Sequence, residues 1–175
     1  MSDVPNNRPL RSLAHQIAIV FGAGLLPRAP GTWGSLVALP AAWALHGLGG
    51  AVLLGAAIVA VTLLGLWAVE VATAGLAEKD LPEIVIDEVA GQWVALLPLS
   101  IGLTVMGAEP WLFPWPGWVS AFVLFRIFDI FKPPPVGWAD RMNSPLGVML
   151  DDLIAGAMAA LVVTLAAALS HGWLI

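Results

Sequence analysis

Two acidic pairs, Asp87-Glu88 and Asp151-Asp152, and a run Arg126-x-x-Asp129-x-x-Lys132-Pro133 interrupt apolar stretches of this chain. A fourth polar cluster, Pro30-Gly31-Thr32-Trp33-Gly34-Ser35, precedes another. Carboxylates beside apolar spans are costly to keep and mark functional sites. Oxygen ligands of this type suit a hard divalent cation, and Mg²⁺ is held by a few carboxylates with several waters retained. Arg and Lys suit phosphate. The combination points to phosphate chemistry next to a membrane, with Asp87, Glu88, Asp129, Asp151 and Asp152 as candidate catalytic groups. The metal would come to Asp87, Glu88, Asp129 and Asp152, polarise a phosphoryl oxygen and activate water. Arg28, Arg126, Lys132 and Arg141 would neutralise phosphoryl charge.

Each cluster also has a plainer reading. Asp87 and Glu88 fall at a helix entry, where acids complement the dipole; Glu88 and Gln92, four apart, share a face. Arg126, Asp129 and Lys132 are spaced to line one side of a helix as an ion-pair ladder, which Pro133 to Pro135 end abruptly. Adjacent helical residues point about 100° apart, so one member of Asp151-Asp152 is expected to be an N-cap. Gly31 and Gly34 lie in an expected turn whose free amides, with the Thr32 and Ser35 hydroxyls, would cradle phosphate at a helix start. His15, His46 and His171 stand apart from all four clusters, which disfavours a histidine nucleophile.

The elements that must position these groups are apolar. The 175 residues are 59% hydrophobic and 11% charged, with mean hydropathy +0.90, against roughly 25% charged for soluble domains. Lipid is therefore the expected solvent. A net charge of −5 argues against a nucleic-acid partner. The absence of cysteine excludes thiolate metal sites and cysteine-nucleophile phosphatases. Apolar stretches run over 36–48, 51–72, 89–106, 118–131 and 153–174. The first, with Pro40 and His46, and the fourth, with Arg126 and Asp129, are marginal spans. His46 to Gly50 reads as a tight turn joining antiparallel helices, and Gly107 to Gly117 as a Trp- and Pro-rich loop at lipid headgroups. The expected fold is an all-α integral membrane bundle of four to five spans. Residues 1–20 form a polar, amphipathic segment, basic at its start and read as retained, ahead of a single domain over 21–175. If all five stretches cross, Arg8, Arg11, Arg28, Lys79, Lys132 and Arg141 fall on one face, cytoplasmic by the positive-inside rule. The same assignment gathers the four polar clusters there.

These residues carry a resemblance. Ala29 to Ser35 (APGTWGS), Ile86 to Gly91 (IDEVAG), Phe125 to Pro135 (FRIFDIFKPPP) and Gly147 to Gly156 (GVMLDDLIAG) occur in the order found in phosphatidylglycerophosphatase A. The chain resembles that family over about Phe21 to Leu161. The resemblance implies a helical, Mg²⁺-dependent phosphomonoesterase of the bacterial inner membrane, multi-pass, with its site facing the cytoplasm. Its substrate would be phosphatidylglycerophosphate, converted to phosphatidylglycerol. The family also tends to be polar or acidic at the position of Asp80, a secondary candidate. Small residues at Ala155-Gly156-Ala157 would let helices approach so that the acids converge. A small ion transporter or channel would instead want charges near mid-span and an inverted repeat. A CDP-alcohol phosphotransferase, also a membrane Mg²⁺ enzyme, would need a spaced aspartate pattern absent from this chain.

Overall fold

A computed structural model describes residues 8–170; His171 and the polar stretch Met1 to Asn7 lie outside them. Among the described residues every regular element is helical: α1 (Arg8–Ala18), a 3₁₀ segment (Val20–Leu25), α2 (Pro30–Ala72), α3 (Ile86–Val105), α4 (Trp115–Phe131), α5 (Val136–Asp140) and α6 (Pro145–Ser170). Three of them, α2, α3 and α6, are long and apolar enough to cross a membrane. The all-helical expectation is met.

α2 is not one rod. Its helical dihedrals break at Gly49 (φ −159°, ψ 18°) and Gly50 (φ 61°, ψ −154°), the latter a conformation essentially restricted to glycine. Along the first arm, the Trp93 indole donates to the Ala38 carbonyl (2.9 Å) and His46 Nδ1 meets Ser100 Oγ (2.7 Å). That arm therefore runs parallel to α3. After the break, the Ala51 amide donates to Thr104 Oγ1 (3.1 Å), and Gly65 packs against Ile86 and Met149. The second arm thus returns antiparallel to α3, and the expected turn near Gly50 makes a helical hairpin. His46, buried, serves packing at the far end, its ring 5.9 Å from Phe113.

α6 runs parallel to α3. Gly91 faces the backbone of Asp152 and Gly156, so a Cβ at either glycine would collide with the opposite main chain. α4 runs the other way, with Gly117 against Leu99 at one end and Phe125 against Gly91 toward the other. Helix directions alternate from the first arm of α2 through α6. The N-termini of the first arm, α3 and α6 consequently share one end with the C-termini of the second arm and α4. One apolar cluster around Leu96, Phe125 and Ala155 fills the bundle centre; another around Val69, Ala90 and Met149 fills the end bearing the helix starts. α1 packs across that end, and the Val85 amide donates to the Ala18 carbonyl (2.9 Å).

Candidate active site

α3 begins at Ile86, so Asp87 and Glu88 occupy its first turn. The Glu88 amide donates to Asp87 Oδ1 (3.1 Å). On α6 the expected N-cap role for one member of Asp151-Asp152 is overturned. That helix starts at Pro145, and Ser144 Oγ accepts the Gly147 amide (3.1 Å) at its entry. Both aspartates lie almost two turns inside it, and both are buried. The close Gly91–Gly156 approach then brings Asp152 beside the start of α3. Carboxylate oxygens of Asp87, Glu88 and Asp152 lie within 4.8 Å of one another.

The cluster from Pro30 to Ser35 also differs from the expected turn. It is the opening of α2 itself, preceded by Ala29 in the left-handed region. Gly31 and Gly34 are there for close approach. A Cβ on Gly31 would strike the Glu88 carboxylate and come 3.2 Å from Arg126 Nη1, and one on Gly34 would come 2.8 Å from Val85 Cβ. Ser35 Oγ donates to the Gly31 carbonyl (2.8 Å) and accepts from Arg126 Nη1 (3.4 Å). Thr32, half-buried, makes no side-chain hydrogen bond among the described residues.

The expected ladder on α4 splits in two. Arg126 Nη1 pairs with Asp129 Oδ2 at 2.7 Å. Lys132 leaves the helix in the left-handed region (φ 44°) and turns to other elements. It donates to Asp151 Oδ2 (2.8 Å) and also pairs with Asp140. Burial pulls the Lys132 pKa down, but the hydrogen bonds to Asp140 and Asp151 outweigh it and hold it above the ordinary lysine range. Asp129, through its pair with Arg126, stands beside Asp152.

All five candidate carboxylates therefore gather at one end of the bundle, in two electrostatic classes. Asp129 and Asp151 each have a cation; Asp87, Glu88 and Asp152 have no ion-pair partner among the described residues. Glu88 Oε2 and Asp152 Oδ1 are buried without a hydrogen-bond partner, as is Arg126 Nε. Buried, unpaired carboxylate oxygens are destabilising unless something positive meets them. An all-oxygen donor set matches a hard divalent cation, so the residues fit one. Arg28 and Arg141 are exposed and form no ion pair among the described residues. Asp80 is exposed as a residue, but its carboxyl is partly desolvated, which raises its pKa; Lys132 lowers it, and Asp140, Glu78 and Asp129 raise it, for a net increase.

Two contributors escaped the sequence reading, and a third was noted there only for its spacing. Asp140 shares Lys132 with Asp151. Asn143 ties the 73–85 connection to the site, accepting the Lys79 amide (3.0 Å) and donating to the Ala77 carbonyl (2.8 Å). Gln92, fully buried one turn beyond Glu88, has both amide ends unpartnered. Only Gln92 had a legible signal, its spacing from Glu88.

A family described as phosphatidylglycerophosphatase A matches residues 16–167. Phosphatidylglycerophosphatase A of Escherichia coli K12 is 36% identical over 155 residues, 83% of this chain and 78% of the relative. The Haemophilus influenzae protein of the same name is 34% identical over 163 residues, 90% and 93% of the two chains. A Bacteroides thetaiotaomicron protein with the provisional name phosphatidylinositol-3-phosphatase is 35% identical over 152 residues, 83% and 88%. No solved structure matches the chain.

Proposed function

The chain belongs to the phosphatidylglycerophosphatase A family, and from that premise we propose that it hydrolyses phosphatidylglycerophosphate to phosphatidylglycerol and phosphate with a divalent cation, Mg²⁺. The observation that carries the reading is the buried Asp87–Glu88–Asp152 triad beside the Arg126–Asp129 pair, at one end of an apolar bundle. Asp87, Glu88 and Asp152 would hold the cation, which when bound supplies Lewis acidity and charge neutralisation. Arg126 receives the phosphoryl oxygens, its Nη1 already turned toward Ser35 and Asp129. The nearby starts of α2 and α3 add backbone donors and positive partial charge for the dianion, and Ser35 Oγ, whose proton goes to the Gly31 carbonyl, holds Arg126 in place. We assign to Asp129 the proton released as water attacks phosphorus. The water oxygen forms the new P–O bond, the bond to the glycerol oxygen breaks, and that oxygen takes the proton held by Asp129 and leaves as the lipid alcohol. Lys132 keeps Asp151 neutralised and so positions the neighbouring Asp152. Asp151 is thereby assigned a supporting part, and the exposed Arg28 and Arg141 outer contacts to the headgroup.

The same reading puts the chain in the bacterial cytoplasmic membrane with the site facing the cytoplasm. Arg11 and Lys79 reach the end of the second arm of α2 through the carbonyls of Ala74 and Thr73, so the basic residues share the site's end. Phosphate release from phosphatidylglycerophosphate by the purified protein, with and without a chelator, tests the proposal. Release that stops on chelation and returns with Mg²⁺ is expected; release indifferent to chelation would remove the metal. A second reading keeps the chemistry and changes the headgroup, on the strength of the Bacteroides relative's name. Faster release from a phosphorylated inositol lipid would favour it.

A further inference from the structure

Between the first arm of α2 and α4 lies a groove of about 440 Å³ lined by Leu36, Leu39, Pro40, Trp43, Trp111, Phe113 and Trp118. Its lining carries no charge. At one end stand Ser35 and Arg126, joined across the two helices at 3.4 Å. Eight residues further on the first arm is Trp43, and eight residues back on the antiparallel α4 is Trp118. Both positions lie about 12 Å from the charged end at 1.5 Å per residue. There two tryptophans meet across its far end. The Trp43 indole donates to the Trp111 carbonyl (3.0 Å), their rings meet edge to face at 5.2 Å, and Trp111 rests on Gly47. The charged end thus adjoins an open apolar groove bounded by the Trp43–Trp111 contact, and its length is comparable to one leaflet's hydrocarbon, about 15 Å.

We propose that this groove seats one acyl chain of the lipid whose phosphate is cleaved. The assignment rests on the phosphatase reading above and deepens it. Polarity and continuity select the occupant. A lipid held by its phosphate at Arg126 must leave its glycerol within reach of Ser35, and the adjoining apolar surface is the wall of Leu36 and Leu39. Trp43, Trp111 and Trp118 then limit how far the chain extends. An acyl-free phosphomonoester would use the charged mouth alone.

The test compares Leu36→Trp, which narrows the groove at a part-exposed position, with the unaltered protein on two substrates sharing one headgroup. One substrate is diacyl phosphatidylglycerophosphate, the other its acyl-free glycerophosphoryl-glycerol phosphate. The ratio of kcat/KM, diacyl over acyl-free, is expected to fall about tenfold or more. Equal losses on both substrates, or no loss on either, would overturn the groove. A second measurement does not depend on turnover. A photoactivatable acyl chain on a phosphomonoester lipid should crosslink to peptides carrying Trp43, Trp111 or Trp118, and the same chain on phosphatidylcholine should not. Crosslinks spread alike over outward helix faces for both lipids would overturn it too. Were phosphate release absent while the selective crosslink persisted, the phosphatase reading would fail and the acyl site would stand.

Discussion

Glu88 and Asp152 are the residues on which the chemistry turns, because each has a buried carboxylate oxygen that no described residue satisfies. Replacing either by its amide keeps the shape and removes the charge. Glu88→Gln and Asp152→Asn are each expected to cut kcat/KM for phosphate release by about 100-fold or more, the scale of losing one electrostatic contributor to a transition state. Calorimetry on the same variants should show weakened Mg²⁺ binding. Asp140→Asn, at a carboxylate whose one ion pair among the described residues is with the shared Lys132, should lose less than about tenfold. Lys132→Met leaves buried Asp151 without its cation, a change expected to destabilise by about 1–3 kcal/mol. The pH dependence follows from the raised lysine pKa. A cation held above its ordinary value contributes fully below that value, about 10.4, and the contribution is lost only as pH climbs through the higher folded one. The stability difference between Lys132→Met and the unaltered protein should therefore be equal at about pH 7.5 and pH 9. A difference that shrinks over that interval would show that Lys132 is not held in this way.

At the scale of elements, the site depends on how closely two parallel helices cross. Gly91 and Gly156 leave no space between α3 and α6, and the acids sit one turn nearer the helix starts. Gly156→Ala forces a methyl into the Gly91 backbone, an overpacking expected to cost about 1–3 kcal/mol and to separate Asp152 from Glu88. Thermal unfolding and phosphate release should both fall. Gly102, also on α3, has open space where its Cβ would go. Gly102→Ala should be neutral or stabilise by up to about 1 kcal/mol through helix propensity alone. If the two alanines behave alike, close helix approach is not what assembles the site. Gly50 acts differently. It lets the chain reverse between the two arms of α2 by adopting a backbone conformation that side chains resist.

For the whole molecule, alternating helix directions put every described Lys and Arg at the end that holds the acids. The distal end carries the Gly50 turn and the Trp111 loop. A chain without cysteine lets this be read directly. Arg28→Cys should react with a membrane-impermeant thiol reagent only from the cytoplasmic side, and Gly107→Cys only from the other. Labelling of both from one side would contradict the orientation and leave the substrate reading to be argued on chemistry alone.

Composition and charge placement already determined much of this. An oily, cysteine-free chain with every Lys and Arg but Arg126 outside its apolar stretches reads as a helical bundle in lipid, because every backbone polar group in hydrocarbon must be satisfied within its own helix. The four motifs located the acids, and the spacing of Glu88 and Gln92 hinted at a shared face. Local pattern could not say which carboxylates would be paired. Whether Lys132 serves Asp129, one turn away, or Asp151, nineteen residues on, depends on the left-handed step that ends α4. Nor could it tell that Asp151-Asp152 lies deep in a helix, or that Gly31 is a contact surface for Glu88. Those outcomes follow from the depth of the helix crossings, which the glycines of different elements set jointly. Tertiary packing alone therefore decided that Asp87, Glu88 and Asp152 have no ion-pair partner among the described residues.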